Sequence, residues 1–165
     1  MNKIKILIMD VDGTLTDGKI YMGEQGEVMK AFDVRDGYAI YYLLPQYGVI
    51  PVIITGRSSK IVEVRCHELR IKEVHQKCLN KKNKLEEIAQ RFGLNIGKNG
   101  IIEGIAYIGD DILDIPGIKI SELSACPVDA AEDVKKEVTY ICRNKGGEGA
   151  VREFVEWLIW KNKLC

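Results

Sequence analysis

The sequence predicts an α/β fold built on a short parallel sheet, and two observations carry that prediction. Residues 4–9, 49–55 and 105–108 are strand-length apolar runs, rich in Ile and Val, each ending in polar or Gly-rich sequence. Segments of helical periodicity lie between them. Continuous apolar runs alternating with helices read as βαβ units whose strands are covered on both faces.

Taken in order, residues 4–9 form the first strand and stop at Asp10. Residues 18–33 break the rhythm: Ile20 and Met22, then Val28 and Phe32, flank Gly23-Glu24-Gln25-Gly26 and predict a β-hairpin inserted in the first βα connection. Helices are expected over residues 37–46, 58–69 and 81–92, with Gly48 and Gly93 placed as helix-ending glycines. Weaker strands are read at residues 73–74 and 123–127. The last helix, residues 149–160, gathers Val151, Phe154, Val155, Leu158 and Ile159 on one face. Trp157, Trp160, Tyr41 and Tyr42 read as core or interface residues. The whole is expected to be one three-layer, Rossmann-like domain over residues 1–165. Only one hairpin and one helix fit between Asp17 and Thr55, which leaves no room for a cap domain.

Composition narrows the function. Lys plus Arg equals Asp plus Glu, giving a formal net charge of zero, whereas nucleic-acid proteins carry a basic excess. The five cysteines form no C-x-x-C pair, and the odd count argues against a disulfide framework. Reduced thiols and a cytoplasmic location are expected. A zinc site is disfavoured, since only His67 and His75 could assist. Met1–Lys5 leads straight into a strand-length run, so no signal peptide is expected, and no apolar stretch approaches the ~18 residues of a membrane span.

The chemistry concentrates at predicted carboxyl ends of strands, where open α/β sheets bind ligands. Asp10-Val11-Asp12-Gly13-Thr14 sets two carboxylates at the end of the first strand. Bare carboxylates do not end a core strand without a partner. Asp10 can act as a nucleophile, dividing a slow phosphomonoester hydrolysis into two displacements. Asp12 can serve as acid to the leaving alcohol and base to the attacking water. Gly109-Asp110-Asp111-Ile112-Leu113-Asp114 supplies hard oxygen ligands for Mg²⁺. Asp110 and Asp10, with the backbone carbonyl of Asp12, are the expected ligands. Asp111 and Asp114 stand behind them, or Asp114 caps the next helix. Thr55-Gly56-Arg57 offers a hydroxyl and main-chain N–H groups to a phosphoryl group, and an arginine fork to an anion.

The stretch from Asp10 through Leu15-Thr16-Asp17-Gly18 resembles the signature of the haloacid dehalogenase superfamily, in the form carried by its small, capless sugar-acid phosphatases. The resemblance covers residues 4 to about 158. It implies a Mg²⁺-dependent phosphatase acting on 3-deoxy-D-manno-octulosonate 8-phosphate in lipopolysaccharide biosynthesis. It also implies a homotetramer, in which the hairpin pairs with neighbouring subunits and helps close the site. A phosphate-binding lysine is implied too. Asn83-Lys84-Leu85 matches the family locally, but the family spacings counted from Gln76 and Leu94 both land on Lys81, and we assign Lys81. Arg35 in Phe32-Asp33-Val34-Arg35-Asp36-Gly37 is a candidate substrate contact, or an ion pair. Gly146 and Gly147 are candidate sites for ligand carboxylates at main-chain amides. Glu148 stands where many relatives carry Arg, which keeps a nonulosonate 9-phosphate as the alternative substrate, while Arg57 favours the eight-carbon acid. Outside enzymes, a phospho-aspartate receiver or an idle scaffold could share the topology. Asp12 followed by Gly-Thr argues against the receiver, and the intact acidic set argues against the scaffold. The insertion at residues 95–103 falls at the amino end of its strand, away from the site.

Overall fold

The computed structural model describes residues 3–161, 163 and 164. Strand β1 (Ile6–Met9) is followed by β2 (Tyr21–Gly23) and β3 (Gly26–Met29), which pair antiparallel as the expected hairpin. Next come α1 (Val34–Tyr38), a π-helical turn (Ala39–Leu43), α2 (Leu44–Gln46), β4 (Ile50–Ile54), α3 (Lys60–Glu68) and β5 (Glu73–His75). The second half runs α4 (Lys81–Arg91), β6 (Ile102–Ile108), a 3₁₀ turn (Ile112–Asp114), α5 (Ile115–Ile118) and β7 (Ser121–Cys126). It closes with α6 (Glu132–Lys135), β8 (Tyr140–Ile141) and α7 (Ala150–Trp160).

The main sheet is parallel, in the order β5-β4-β1-β6-β7-β8. The chain winds from β1 to one edge, then crosses back to build the other. That reversal puts the carboxyl end of β1 at a topological switch point. Alternation along the strands splits the core into two layers. Leu7 and Met9 pack with Ile40, Val62, Phe154 and Leu158, whereas Ile6 and Ile8 pack with Leu85, Ile88, Tyr107 and Val134. The sheet is therefore covered on both faces, which is why its strands read as continuous apolar runs. Among the described residues, only the hairpin and the α1–α2 segment stand between β1 and β4, and no cap domain is inserted.

Several boundaries differ from the expectation. The helix expected over residues 37–46 begins at Val34, because Asp33 caps it by accepting from the Arg35 N–H at 2.6 Å. It widens into a π turn just before Pro45, which has no N–H to donate and whose ring crowds the carbonyl of a regular turn. The strand expected at residues 123–127 is Ser121–Cys126, and β8 was not expected at all. Trp157 packs against the core and stacks on Tyr140 with ring centroids 4.9 Å apart. Trp160 is 74% exposed and is not a core residue. Cys66, Cys78, Cys126 and Cys142 are free thiols; Cys165 lies outside the described residues. Among the described residues, no helix is long and apolar enough to cross a membrane.

Candidate active site

Four loops at carboxyl ends of the sheet meet in one cleft of about 180 Å³, lined by Asp10, Asp12, Thr55, Arg57, Lys81 and Asp114 among others. The post-β1 loop brings Asp10 and Asp12. The loop after β4 brings Thr55, Gly56 and Arg57; the start of α4 brings Lys81; and the turn after β6 brings the acidic cluster.

Asp10 is buried, and its Oδ1 accepts a hydrogen bond from Lys81 Nζ at 2.6 Å. The same ammonium donates to Asp114 Oδ1 at 2.6 Å. Lys81 is thus the lysine at the site, while Lys84 pairs with Glu87 on the helix exterior. Asn80 explains the placement: as N-cap it accepts from the Asn83 N–H, so α4 starts with Lys81 facing the sheet. Burial alone would lower the Lys81 pKa, but the charges of Asp10 and Asp114 carry it above its ordinary value.

Asp114 is both cap and site residue. Its Oδ2 accepts from the backbone N–H groups of Asp110 and Asp111 at 3.0 and 3.1 Å, and Asp111 returns a cap to the same turn. Its Oδ1 also accepts from the Tyr107 hydroxyl at 2.7 Å. Asp110 accepts from the Thr14 hydroxyl at 2.7 Å. Gly13, with φ +98°, makes that approach possible: a Cβ there would sit 2.1 Å from Asp110 Oδ2.

Carboxylate oxygens of Asp10, Asp110 and Asp114 lie within 4.8 Å of one another. Burial, followed by the Asp114 charge, pushes Asp10 up to about 7. Burial, followed by the Asp10 charge, pushes Asp110 up to about 8. One ammonium does not balance three crowded carboxylates, so the donor set fits a hard divalent cation. Asp114 already serves Lys81, Tyr107 and two backbone amides. Asp10 and Asp110 are the carboxylates with capacity left for an ion.

Three expected contacts are placed differently. Arg35 does not line this cleft: it binds Asp33 at 2.7 Å and the Glu148 carbonyl at 2.6 Å, so its fork is engaged outside the site. Gly146 and Gly147 do not hold their amides open to a ligand. Gly146 N–H donates to Asp129 at 3.0 Å and Gly147 N–H to the Thr14 carbonyl at 3.0 Å. They pack instead against the post-β1 loop, where a Cβ on Gly146 would lie 1.9 Å from the Gly13 carbonyl oxygen.

Two polar residues at the site were not anticipated. Lys30 and Glu27, from the hairpin, reach Asp12, Arg57 and Ser59. Their i,i+3 spacing in an exposed hairpin looks the same as that of a solvated pair. Tyr107 had a visible signal: a tyrosine in a fully buried strand needs a partner for its hydroxyl.

No protein-family model matches the chain. It is 40% identical over 156 residues to 3-deoxy-D-manno-octulosonate 8-phosphate phosphatase of Escherichia coli K12, covering 94% of this chain and 79% of the relative. The Moraxella catarrhalis enzyme of that name, solved with a magnesium ion, a phosphate ion and a KDO molecule, matches with a TM-score of 0.88 and 35% identity. That match covers 97% of this chain and 89% of the other. A putative HAD superfamily (subfamily III A) hydrolase from Legionella pneumophila matches with a TM-score of 0.88 and 33% identity, over 98% and 86% of the two chains. The chain belongs to the 3-deoxy-D-manno-octulosonate 8-phosphate phosphatase family of the HAD superfamily.

Proposed function

We propose that this chain hydrolyses the phosphomonoester of 3-deoxy-D-manno-octulosonate 8-phosphate, releasing the eight-carbon acid and inorganic phosphate. The observation that carries the site assignment is the buried Asp10–Lys81 contact at 2.6 Å beside Asp114 in one cleft, with Asp110 within 4.8 Å of both carboxylates.

Asp10 attacks phosphorus as its carboxylate. The bond from phosphorus to the ester oxygen breaks as the bond to Asp10 forms, and the Asp12 carboxyl gives its proton to the departing alkoxide. Asp12 then takes a proton from water, whose oxygen attacks the phosphoryl group and returns Asp10 as a carboxylate. Lys81 and Thr55 hold the transferring oxygens, where fixed donors act most strongly because water is excluded. Asp10, Asp110 and the Asp12 carbonyl would hold Mg²⁺, which when bound offsets the repulsion between the carboxylates and the phosphate. Arg57, half-exposed at the cleft, faces the sugar acid. The 40% identity to the 3-deoxy-D-manno-octulosonate 8-phosphate phosphatase of Escherichia coli K12 supports the eight-carbon substrate over a nonulosonate 9-phosphate.

The open cleft is closed by assembly. Met22, Val28 and Met29 on the hairpin are 64%, 60% and 53% exposed. Apolar side chains at that exposure support pairing of hairpins in a homotetramer. We place the enzyme in the cytoplasm, in lipopolysaccharide biosynthesis.

The decisive experiment compares kcat/KM for eight- and nine-carbon keto-acid phosphates with Mg²⁺ present. A preference for the eight-carbon ester is expected. A preference for the nine-carbon ester, or for an unrelated phosphate, overturns the substrate.

A further inference from the structure

The hairpin enters the site through Lys30, which directly follows β3. The Lys30 side chain has no solvent exposure; its Nζ donates to Asp12 Oδ1 and lies 2.8 Å from Glu27 Oε1. Glu27 accepts from the Ser59 hydroxyl at 2.5 Å, at the start of α3. Arg57 lies 3.5 Å from Glu27 and 3.7 Å from Asp12 Oδ2. An ammonium enclosed in this way must keep Glu27 as its anionic partner and an Asp12 oxygen as its acceptor. Glu27 is anchored to α3, so Lys30 is held on both sides, and one oxygen of Asp12 is fixed to the hairpin while the other faces Arg57.

We infer that Lys30, held by Glu27, is a positioning residue that aims the Asp12 carboxyl at the leaving-group oxygen, so that the hairpin sets the first half of the reaction. The inference rests on the reading of Asp12 as the acid. Lys30 takes no part in bond making; it fixes which way the proton donor points, and misplacement of a catalytic group by about 1 Å can cost on the order of a hundredfold in rate.

The test uses the dependence on leaving group. A sugar alkoxide needs a proton as it departs, whereas a p-nitrophenolate does not. kcat/KM reports only the steps through release of the alcohol. For Lys30→Met we expect kcat/KM on the sugar-acid phosphate to fall about a hundredfold, within the range of general acid catalysis. On p-nitrophenyl phosphate it should stay within about threefold of wild type, because the acid contributes little there. Lys30→Arg should recover most of the loss. Glu27→Gln should show the same selective loss, severalfold in size, and carries the test where Lys30→Met yields no folded protein. Equal losses on both esters, or none on either, overturn the role of Lys30. Asp12→Asn, measured alongside, separates the two statements. If it shows the selective loss and the Lys30 and Glu27 variants do not, the positioning role alone fails. If Asp12→Asn also lacks it, the acid assignment falls and the role of Lys30 falls with it.

Discussion

Lys81 Nζ donates to Asp10 Oδ1 at 2.6 Å with only 2% of the lysine side chain exposed. This ammonium is the charge that lets the Asp10 carboxylate stand inside the protein beside Asp114. Lys81→Met should leave both carboxylates buried without their cation, at a cost of about 3–5 kcal/mol in urea unfolding without divalent metal. Turnover should fall by at least about a hundredfold, the usual cost of removing one preorganised donor. Lys84→Met breaks only a partly exposed pair with Glu87, and should change stability by less than about 1 kcal/mol. Large loss at 84 with none at 81 would reassign the phosphate lysine.

Asp10→Asn should abolish turnover while the metal-free protein becomes more stable. Burial and the Asp114 charge hold the Asp10 carboxyl up near 7, so an uncharged amide of the same size relieves a penalty on the order of 1 kcal/mol or more at pH 8. Retained turnover in this variant would remove Asp10 as the nucleophile. A lower melting temperature in EDTA would contradict the electrostatic account.

Acidity should act on the metal-free protein with a definite sign. The ordinary carboxyl value is 3.8, while Asp10 stands at about 7 and Asp110 at about 8. The unfolded chain therefore sheds these protons first, and between those values the native state binds more of them. The contribution of the pair is fully present below about pH 4 and declines as pH rises toward 8. Asp110→Asn removes part of it, so wild type minus variant should lose stability across that window. A divalent cation displaces the same protons, so Mg²⁺ should raise the melting temperature more at pH 8 than at pH 6. A pH-independent Mg²⁺ effect would refute this linkage.

Gly146→Ala tests the wall of the Asp10–Asp12 loop. Its Cβ would lie 1.9 Å from the Gly13 carbonyl oxygen, so backbone must move. A loss of about 1–3 kcal/mol in urea unfolding is expected, as for other overpacked sites. Activity should fall beyond the fraction unfolded, because the displaced loop carries Asp10 and Asp12. Full activity in the folded fraction would show that the loop does not depend on this contact.

Much of the site was legible because it sits where apolar runs end. Asp10, Thr55, Arg57 and Asp110 each follow a buried strand, and a polar residue there has no core to enter. Lys81 needed the family spacings counted from Gln76 and Leu94, since a run of lysines looks alike until one knows where the helix starts. Lys30 and Glu27 were hidden because their meaning lies in a long-range contact with Asp12. Gly146 and Gly147 were misread for a related reason: a glycine pair before a helix gives its amides either to a ligand or to another loop, and only the tertiary contact with Gly13 and Thr14 decides. The π turn before Pro45 and the two-residue β8 carry too little local pattern to be seen.

The packing of Gly146 against Gly13 also orders events during synthesis. Asp10 and Asp12 precede β4 and β6, which can flank their strand as they emerge. The loop that holds them receives its wall only from sequence about 130 residues further along. Chains emerge and fold from the amino end. A nascent chain that already carries Asp10, Asp12, Asp110 and Asp114 therefore still lacks the wall that fixes the Asp10–Asp12 loop.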